Sequence, residues 1–568
     1  MSKIDWFVLI TSLVSIVSYG VWKGRGSKDI EGYLLANRSM RWYVIALSVM
    51  ATQASAITFL STPGQAYSDG MRFVQFYLGL PVAMIILSIT VVPIYHKLKV
   101  FTAYEYLEKR FDLKTRELAA GLFLIQRGLA AGLTIYAPSI ILSTLLGWDI
   151  YLTNLMIGVL VIIYTTAGGT KAVSRTQMLQ VVVIMAGMIG AFFMVLHLLP
   201  KEVTFTDALF VAGKMGKLNA IDFTFDLSNR YNFWSGVIGG LFLALSYFGT
   251  DQSQVQRYLG GKSVAHSRLG LLANGLIKVP MQFFILLIGA MVFVFYQFAA
   301  PPLFFNTVAA GQVRSGVMGK EYRLIEKNYR QALEEKKAVV TRLVKVRRSG
   351  DKSRLVREVK NLETAEQKVS SLREKGLRLI RESSGNPDAN DTNYIFLNFV
   401  INFLPIGLVG LVIAAIVAAS MSSTSSELNA LASTTVVDVY KRLFKTGKSE
   451  GHYLRASKVT TVVWGCFAIL FAQYANRLGT LVEAVNILGS LFYGTILGIF
   501  MTAFFLKKVG GTAVFYAALG AEAGVVYCFI FTDISYLWYN VVGCLLVVLL
   551  SVPINRIFKR KPRVAVSQ

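Results

Sequence analysis

Six hydroxyl side chains fall within seven positions at Ser420, Ser422, Ser423, Thr424, Ser425 and Ser426, after the apolar run Leu411 to Ala419 and before Glu427. In hydrocarbon a helix satisfies its own backbone, but every side-chain oxygen must find a partner or line a wet cavity. Hydroxyl oxygens are hard, neutral and compact. With carbonyls from an unwound neighbouring helix they can replace the water shell of a small cation. Close packing, or a bond back to the preceding turn, accounts for any one such Ser. A run this dense points to an ion site.

Two cations stand in the middle of apolar runs, Arg127 about eleven residues into one and Lys278 about ten into another. Burying either at a bilayer centre costs ~3 kcal/mol or more, so both are expected to face the protein interior. Unpaired in a cavity, they would attract an anion. The alternative is that each is met by a carboxylate such as Glu483 or by carbonyls. Enzyme chemistry has little to stand on. The four histidines (His96, His197, His266, His452) lie at run ends or in loops without metal spacing, and no nucleophile–base pair or Gly-rich phosphate loop stands out. Nor is a channel's selectivity-filter repeat visible.

The elements that must position these residues are membrane spans. The chain has 568 residues, 54% hydrophobic and 16% charged, with apolar runs near the ~20 residues that cross a bilayer. Roughly thirteen candidate spans lie near 5–22, 42–66, 73–96, 118–146, 150–167, 176–199, 232–252, 268–298, 402–435, 456–476, 481–506, 511–532 and 535–555. Cys466, Cys528 and Cys544 all sit in apolar runs, which argues against a disulfide framework or metal cage. The first run has no basic region before it and no small-residue cleavage site after it, so it reads as a retained span.

A formal charge of +26 would suggest nucleic acid in a soluble chain, but here it belongs to alternate short loops and one insertion. No nucleic-acid partner is expected. The basic loops carry Lys23, Arg25, Lys28, Arg38 and Arg41, then Lys97 to Arg116, Lys171 and Arg175, Arg257 to Arg268, Lys441 to Lys445, Lys507 and Lys508, and the tail from Arg556 to Arg563. The positive-inside rule then puts the N-terminus outside and the C-terminus in the cytoplasm of a multi-pass protein of the cell (inner) membrane. Residues 314–382 oppose the rule. They hold 20 Lys/Arg against 10 Asp/Glu, yet alternation places them outside. Long segments translocate largely regardless of charge. Two helical stretches flank Ser349-Gly350-Asp351, with Leu333, Val340 and Leu343 spaced to face Leu355, Val359, Leu362 and Val369. The expectation is an antiparallel hairpin projecting from the membrane. It is either a solvated insertion without a transport role or a docking surface for a protein or an anionic surface.

Ala51 to Ala56 (ATQASA), Thr102 to Phe111 (TAYEYLEKRF), Ile135 to Ser139 (IYAPS), Tyr164 to Gln180, Gln252 to Tyr258 (QSQVQRY) and the serine stretch together resemble the sodium:solute symporter family. The likeness spans about 1–300 and 395–510 and is nearest the monocarboxylate, multivitamin and iodide branch. It implies an all-α LeuT-like fold of five helices plus five in inverted repeat, with binding at mid-membrane between two broken helices. The implied division is an extra N-terminal span and cytoplasmic loop (1–41), a first repeat (42–199), a second repeat (232–506) interrupted by the hairpin insertion (314–390), and two further spans with a basic tail (507–568). The breaks are expected in 42–66, at ATQASA and Pro63-Gly64, and in 232–252, at Gly236, Gly239-Gly240 and Gly249.

Carried over residue by residue, the resemblance implies sodium ligands at the carbonyls of Ala51, Ala54 and Ala419 and the hydroxyls of Ser422 and Ser423. Members with a second sodium site have an aspartate where this chain has Gln177, acting with Ser425 and Ser426. A neutral amide there implies a weakened or lost site and one coupling sodium. Substrate or gate candidates are Gln53, Thr58, Arg127, Tyr136, Tyr247 and Lys278, with packing the alternative for the tyrosines. The sugar-carrying branch has an acidic–amide pair where this chain has Ile57-Thr58, which argues against a sugar. The implied activity is sodium-coupled uptake of a small solute, a monocarboxylate or vitamin-like organic anion, with no organic cofactor. A sugar or sialic-acid-type symporter, or a transporter-like sensor signalling through the hairpin, is the alternative.

Overall fold

The structure, a computed structural model, describes residues 1–24, 30–385, 390–475 and 480–558. Arg25, Lys28, the end of the expected hairpin at 386–389 and the basic tail from Lys559 lie outside the described residues, as do the side chains of Lys23, Lys171 and Arg175. The described residues are almost all helical, and their only strand-like pairing is one isolated bridge between Met40 and Gly261. Nine helices among them are long and apolar enough to cross a membrane, and Trp42–Gln53, Ile150–Thr166 and Ser235–Gly249 are shorter apolar helices.

In chain order, the helices that matter to the site begin with α1 (Lys3–Gly24), α2 (Trp42–Gln53) and α3 (Ala56–Asp69). They continue with α4 (Leu113–Leu146), α5 (Ile150–His197), α6 (Phe205–Lys214), α7 (Gly240–Gly249), α8 (Gln252–Leu259) and α9 (Val264–Phe298). The hairpin is α10 (Gly319–Ser349) and α11 (Lys352–Ser384), followed by α12 (Thr392–Phe403), α13 (Leu408–Thr434) and α14 (Glu450–Ala472). The last three are α15 (Leu481–Phe505), α16 (Gly511–Phe531) and α17 (Tyr536–Ile557).

Helix α13, which carries the serine run, is the axis. Its most apolar window is 89% buried, against 28% for α14 and α16. Helices α1, α4 and α5 pack around it. Asp5 of α1 accepts the backbone N–H of Gly407 at 2.7 Å and of Gly410 at 3.2 Å, tying the first span to the start of the serine helix.

Helix α5 is helical over 48 residues, about 72 Å if straight. It is not straight. The hydroxyls of Tyr164 and Thr176 lie 2.8 Å apart, whereas twelve residues of continuous helix would separate them by about 18 Å. The run therefore bends sharply between its two apolar stretches.

The first expected break falls at Ala54 and Ser55. Ala54 leaves the helical region at ψ 69° and Ser55 is extended at ψ 176°, between α2 and α3. Pro63-Gly64, expected to help the break, instead lies inside α3. Gly64 serves close approach, because a Cβ there would sit 2.0 Å from the Thr392 carbonyl oxygen. The second break falls within the expected 232–252, at Gly249 and not at the glycines before it. The chain leaves the helix at Thr250 and Asp251, whereas Gly236 and Gly240 are placed where a Cβ would meet the carbonyl oxygens of Gln75 and Phe76 at 2.1 and 2.6 Å. These glycines permit helix contact, and the unwinding occurs after Gly249.

The hairpin forms with its turn at Gly350, whose φ of +74° suits glycine, and Asp351 accepts the Arg354 N–H at 3.0 Å. It does not project freely. Val340, Leu343 and Leu362 join the same buried core as the spans, and Leu333 and Val369 pack with Leu303 and Phe304. Arg347 and Arg348 at the tip bind Asp207 of α6 at 2.9 and 2.5 Å, and Arg373 binds Asp391 at 2.7 Å. The heptad-like spacing leaves apolar surface outside the seam between the arms, and that surface lies down on the membrane domain.

Candidate ion and substrate site

The break at Ala54 lies against the serine run. Ser423 Oγ donates to the Ala419 carbonyl one turn back at 3.0 Å and lies 3.4 Å from the Ala51 carbonyl of the broken helix. Ser422 Oγ is buried with no hydrogen-bond partner. Three of the five oxygens carried over as sodium ligands thus converge (Ala51, Ala419 and Ser423), a fourth, on Ser422, is unsatisfied, and Ala54 is the residue at which the helix opens. A buried hydroxyl without a partner is costly, and a small cation would satisfy it. The donor set, neutral oxygens only, suits a hard monovalent ion.

The neighbouring position is closed. Gln177 Nε2 donates to Ser426 Oγ at 2.9 Å and to Thr52 Oγ1 at 3.2 Å, while Gln177 Oε1 accepts from Ser48 at 2.6 Å. Ser426 and Thr52 spend their own protons on the carbonyls of Ser422 and Ser48, so they must accept here, which sets the amide's orientation. Hydrogens thus point at the hydroxyls a second ion would need. Ser425 Oγ is buried without a partner.

Beside these oxygens is a cavity of about 110 Å³. Gln53, Thr58, Arg127 and Tyr247 line it, and so do Gln126, Thr134, Glu427, Asn486 and Tyr493 among its polar residues. Gln53 Oε1, Gln126 Oε1 and Arg127 Nε are buried without partners. Tyr136 and Lys278 are not in its wall. Tyr136 is buried and hydrogen-bonded to Tyr394. Lys278 is fully buried, makes no hydrogen bond, and lies 5.8 Å from the ring centroid of Tyr77, which does line the cavity.

Arg127 is not an unpaired cation. Its Nη1 donates to Glu427 at 3.0 Å, and its Nη2 donates to Asp251 and to the Tyr493 hydroxyl. Tyr493 in turn donates to Asp251 at 2.7 Å, and Thr134 donates to the second oxygen of Glu427 at 2.9 Å. The partner suggested by sequence, Glu483, pairs instead with Arg230 at 2.7 Å. Tyr247 stacks its ring 5.5 Å from the Arg127 guanidinium and accepts a hydrogen bond from Gln254 at 2.6 Å. Asp251, Glu427, Thr134 and Tyr493 were missed as site residues. For Asp251 and Glu427 the available signal was the same one that marked Arg127, a charged side chain within or beside an apolar run.

The comparisons with known proteins agree on the architecture. A solved Na+-coupled sialic acid symporter, in a substrate-bound outward-open state, matches at a TM-score of 0.75 with 22% identity, covering 98% of each chain. The fold is therefore the LeuT-like fold of polytopic membrane transporters. The model of the sodium:solute symporter family matches residues 33–316 and 383–520, and the chain belongs to that family. The unmatched interval between them is the hairpin. Among curated relatives, the human sodium/iodide cotransporter is 32% identical over 53% of this chain and 46% of its own length. The sodium/sialic acid symporter of Proteus mirabilis is 26% identical over 96% of this chain and 93% of its own. The chain spans about half the length of the first curated relatives it matches, 46% and 44%.

Proposed function

We propose that this chain couples inward movement of one sodium ion to uptake of a small organic anion, a monocarboxylate or vitamin-like acid, by alternating access. The observation that carries the reading is the meeting of the Ala51 carbonyl with Ser423 beside the partnerless Ser422, next to a cavity walled by Arg127. The ligands are the oxygens of Ala51, Ala54, Ala419, Ser422 and Ser423. Sodium fixes the opened helix against α13 and favours the outward-open state, and substrate then permits closure. Coupling requires the ion to prefer one state, since equal affinity for both shifts nothing. Gln177, with its hydrogens turned to Ser426 and Thr52, supports a single ion.

The size of the cavity, about 110 Å³, supports a small solute, because pockets for drug-sized ligands run to ~300 Å³ and more. The full-length likeness to a sialic acid symporter favours a second reading, an acidic sugar. Proteoliposome uptake of labelled pyruvate, nicotinate, iodide, glucose and sialic acid, with and without a sodium gradient, separates the two. Sodium-driven uptake of glucose alone would overturn both.

The repeats are assigned to 42–199 and 232–506, in the cell (inner) membrane, with the N-terminus outside and the C-terminus cytoplasmic. The basic loops support that orientation. The hairpin then lies outside, and its exposed lysines and arginines offer a surface for an anionic partner.

A further inference from the structure

The group Arg127, Asp251 and Glu427 has two carboxylates and one guanidinium, with side chains 5%, 0% and 6% exposed. With both carboxylates ionised, one negative charge is in excess at the wall of the cavity. Tyr493 and Thr134 supply hydrogen bonds to the carboxylates but no charge. Lys278, behind Tyr77, makes no ion pair and does not close the deficit. An uncompensated buried charge is strongly unfavourable, and a cation bound nearby relieves it.

Glu427 is the only charged residue of α13. It follows Ser423 by four positions, so the two side chains share a face about 6 Å apart at their Cβ atoms. Thr134 joins Glu427 to the hydroxyl run, since Thr424 donates to Thr134 at 2.9 Å and Ser420 donates to its carbonyl. The ligands proposed for sodium are all neutral, and in a low dielectric an ion held by neutral oxygens gains greatly from an anion one turn away.

We infer that Glu427 is the counter-charge of the coupling ion and that sodium controls the substrate-facing guanidinium of Arg127 through it. This rests on the sodium-site reading above. Without sodium, Glu427 occupies Arg127 Nη1. Bound sodium draws the carboxylate toward Ser423 and frees Nη1 to face the cavity, where it can donate to a carboxylate of the substrate. An anion entering without sodium would put two uncompensated negative charges in the site, and with sodium only one. Sodium thereby creates the anion site that Arg127 could not offer while shared between Asp251 and Glu427.

The test is sodium binding to the purified full chain, with radioactive sodium, in the wild type and in E427Q, E427D and S423A. A parallel arm follows phenylglyoxal labelling of Arg127 by mass spectrometry, in sodium and in choline. The expected result is a sodium affinity weakened by roughly tenfold or more in both S423A and E427Q and by less than about threefold in E427D. Labelling should be faster in sodium than in choline in the wild type and independent of the cation in E427Q. Glutamine keeps the shape and leaves Arg127 and Asp251 as a balanced pair. Should E427Q fail to fold, E427D decides: sodium-dependent labelling retained supports the inference, and its loss overturns it. A weakened S423A beside an unchanged E427Q overturns this inference alone. An unchanged S423A overturns the sodium site and this inference with it.

Discussion

The amide nitrogen of Gln177 donates to Ser426 Oγ at 2.9 Å across 249 residues of sequence. Donor hydrogens therefore face the place where a second cation would need lone pairs. Gln177→Asp replaces them with anionic oxygens and frees Ser426 and Thr52. The expected outcome is a Hill coefficient for sodium rising from about one toward two in uptake assays. An unchanged coefficient would remove the argument that this residue sets the stoichiometry.

Ser422→Ala and Ser423→Ala each delete one proposed ligand, and neither hydroxyl does much else, since Ser422 Oγ has no partner and Ser423 bonds its own preceding turn. Folding should survive. The sodium concentration for half-maximal uptake should rise by more than roughly tenfold, the equivalent of ~1.4 kcal/mol. A titration of uptake against sodium checks this, and wild-type dependence in both variants would remove the site.

Arg373 grips both carboxylate oxygens of Asp391 at 2.7 and 3.0 Å, and its guanidinium covers the Phe305 ring at 5.4 Å. Asp391 also accepts the Phe305 N–H at 2.7 Å. Phe305 belongs to the aromatic group around Tyr67, near the end of α3, the second half of the first broken helix. Arg373→Met leaves Asp391 buried without its cation. A loss of roughly 3 kcal/mol is expected, read as a lower melting temperature and faster proteolysis within 319–384. This variant is cleaner than deleting 316–385, which would strip the cover from Val340, Leu343 and Leu362 as well.

Asp207 is the anchor of the hairpin tip. Burial alone would raise its pKa, but hydrogen bonds from Arg348 and Thr204 outweigh it and hold the carboxyl at about 2, below the ordinary 3.8. Because the folded value is depressed, its stabilising effect is fully present above 3.8 and is lost as the pH falls toward 2. Hydrogen exchange at 345–351 should accelerate across that window in the wild type. In Asp207→Asn it should be fast and flat with pH, and a flat wild-type profile would show that the tip is held by something else.

What was legible in the sequence follows from local physics. Apolar run length predicts the spans, and the density of hydroxyls after Ala419 marks α13 as the candidate ion-binding helix, because both are properties of consecutive residues. The Ala54 break was legible for the same reason, since ATQASA is small and polar within an apolar run. Of the glycines of 232–252, Gly249 does stand at the break, whereas Gly236 and Gly240 do not. Whether a glycine unwinds a helix or admits a neighbouring carbonyl depends on what packs against it, here Gln75 and Phe76.

Charge pairing lies beyond any such local rule. Sequence places Arg127 in the interior but leaves its partner open, and the partners are 124 and 300 residues away, at Asp251 and Glu427. The hairpin's seam could be read from its spacing, whereas its descent onto the spans depends on Asp207 and Asp391 standing where Arg348 and Arg373 reach them. Sequence by itself determined the solvent of this chain, its all-helical class and the helix that carries the hydroxyls. Only the tertiary structure decided which buried charges meet, because ion pairing is set by distance in space and the folded chain brings together groups that no periodicity relates.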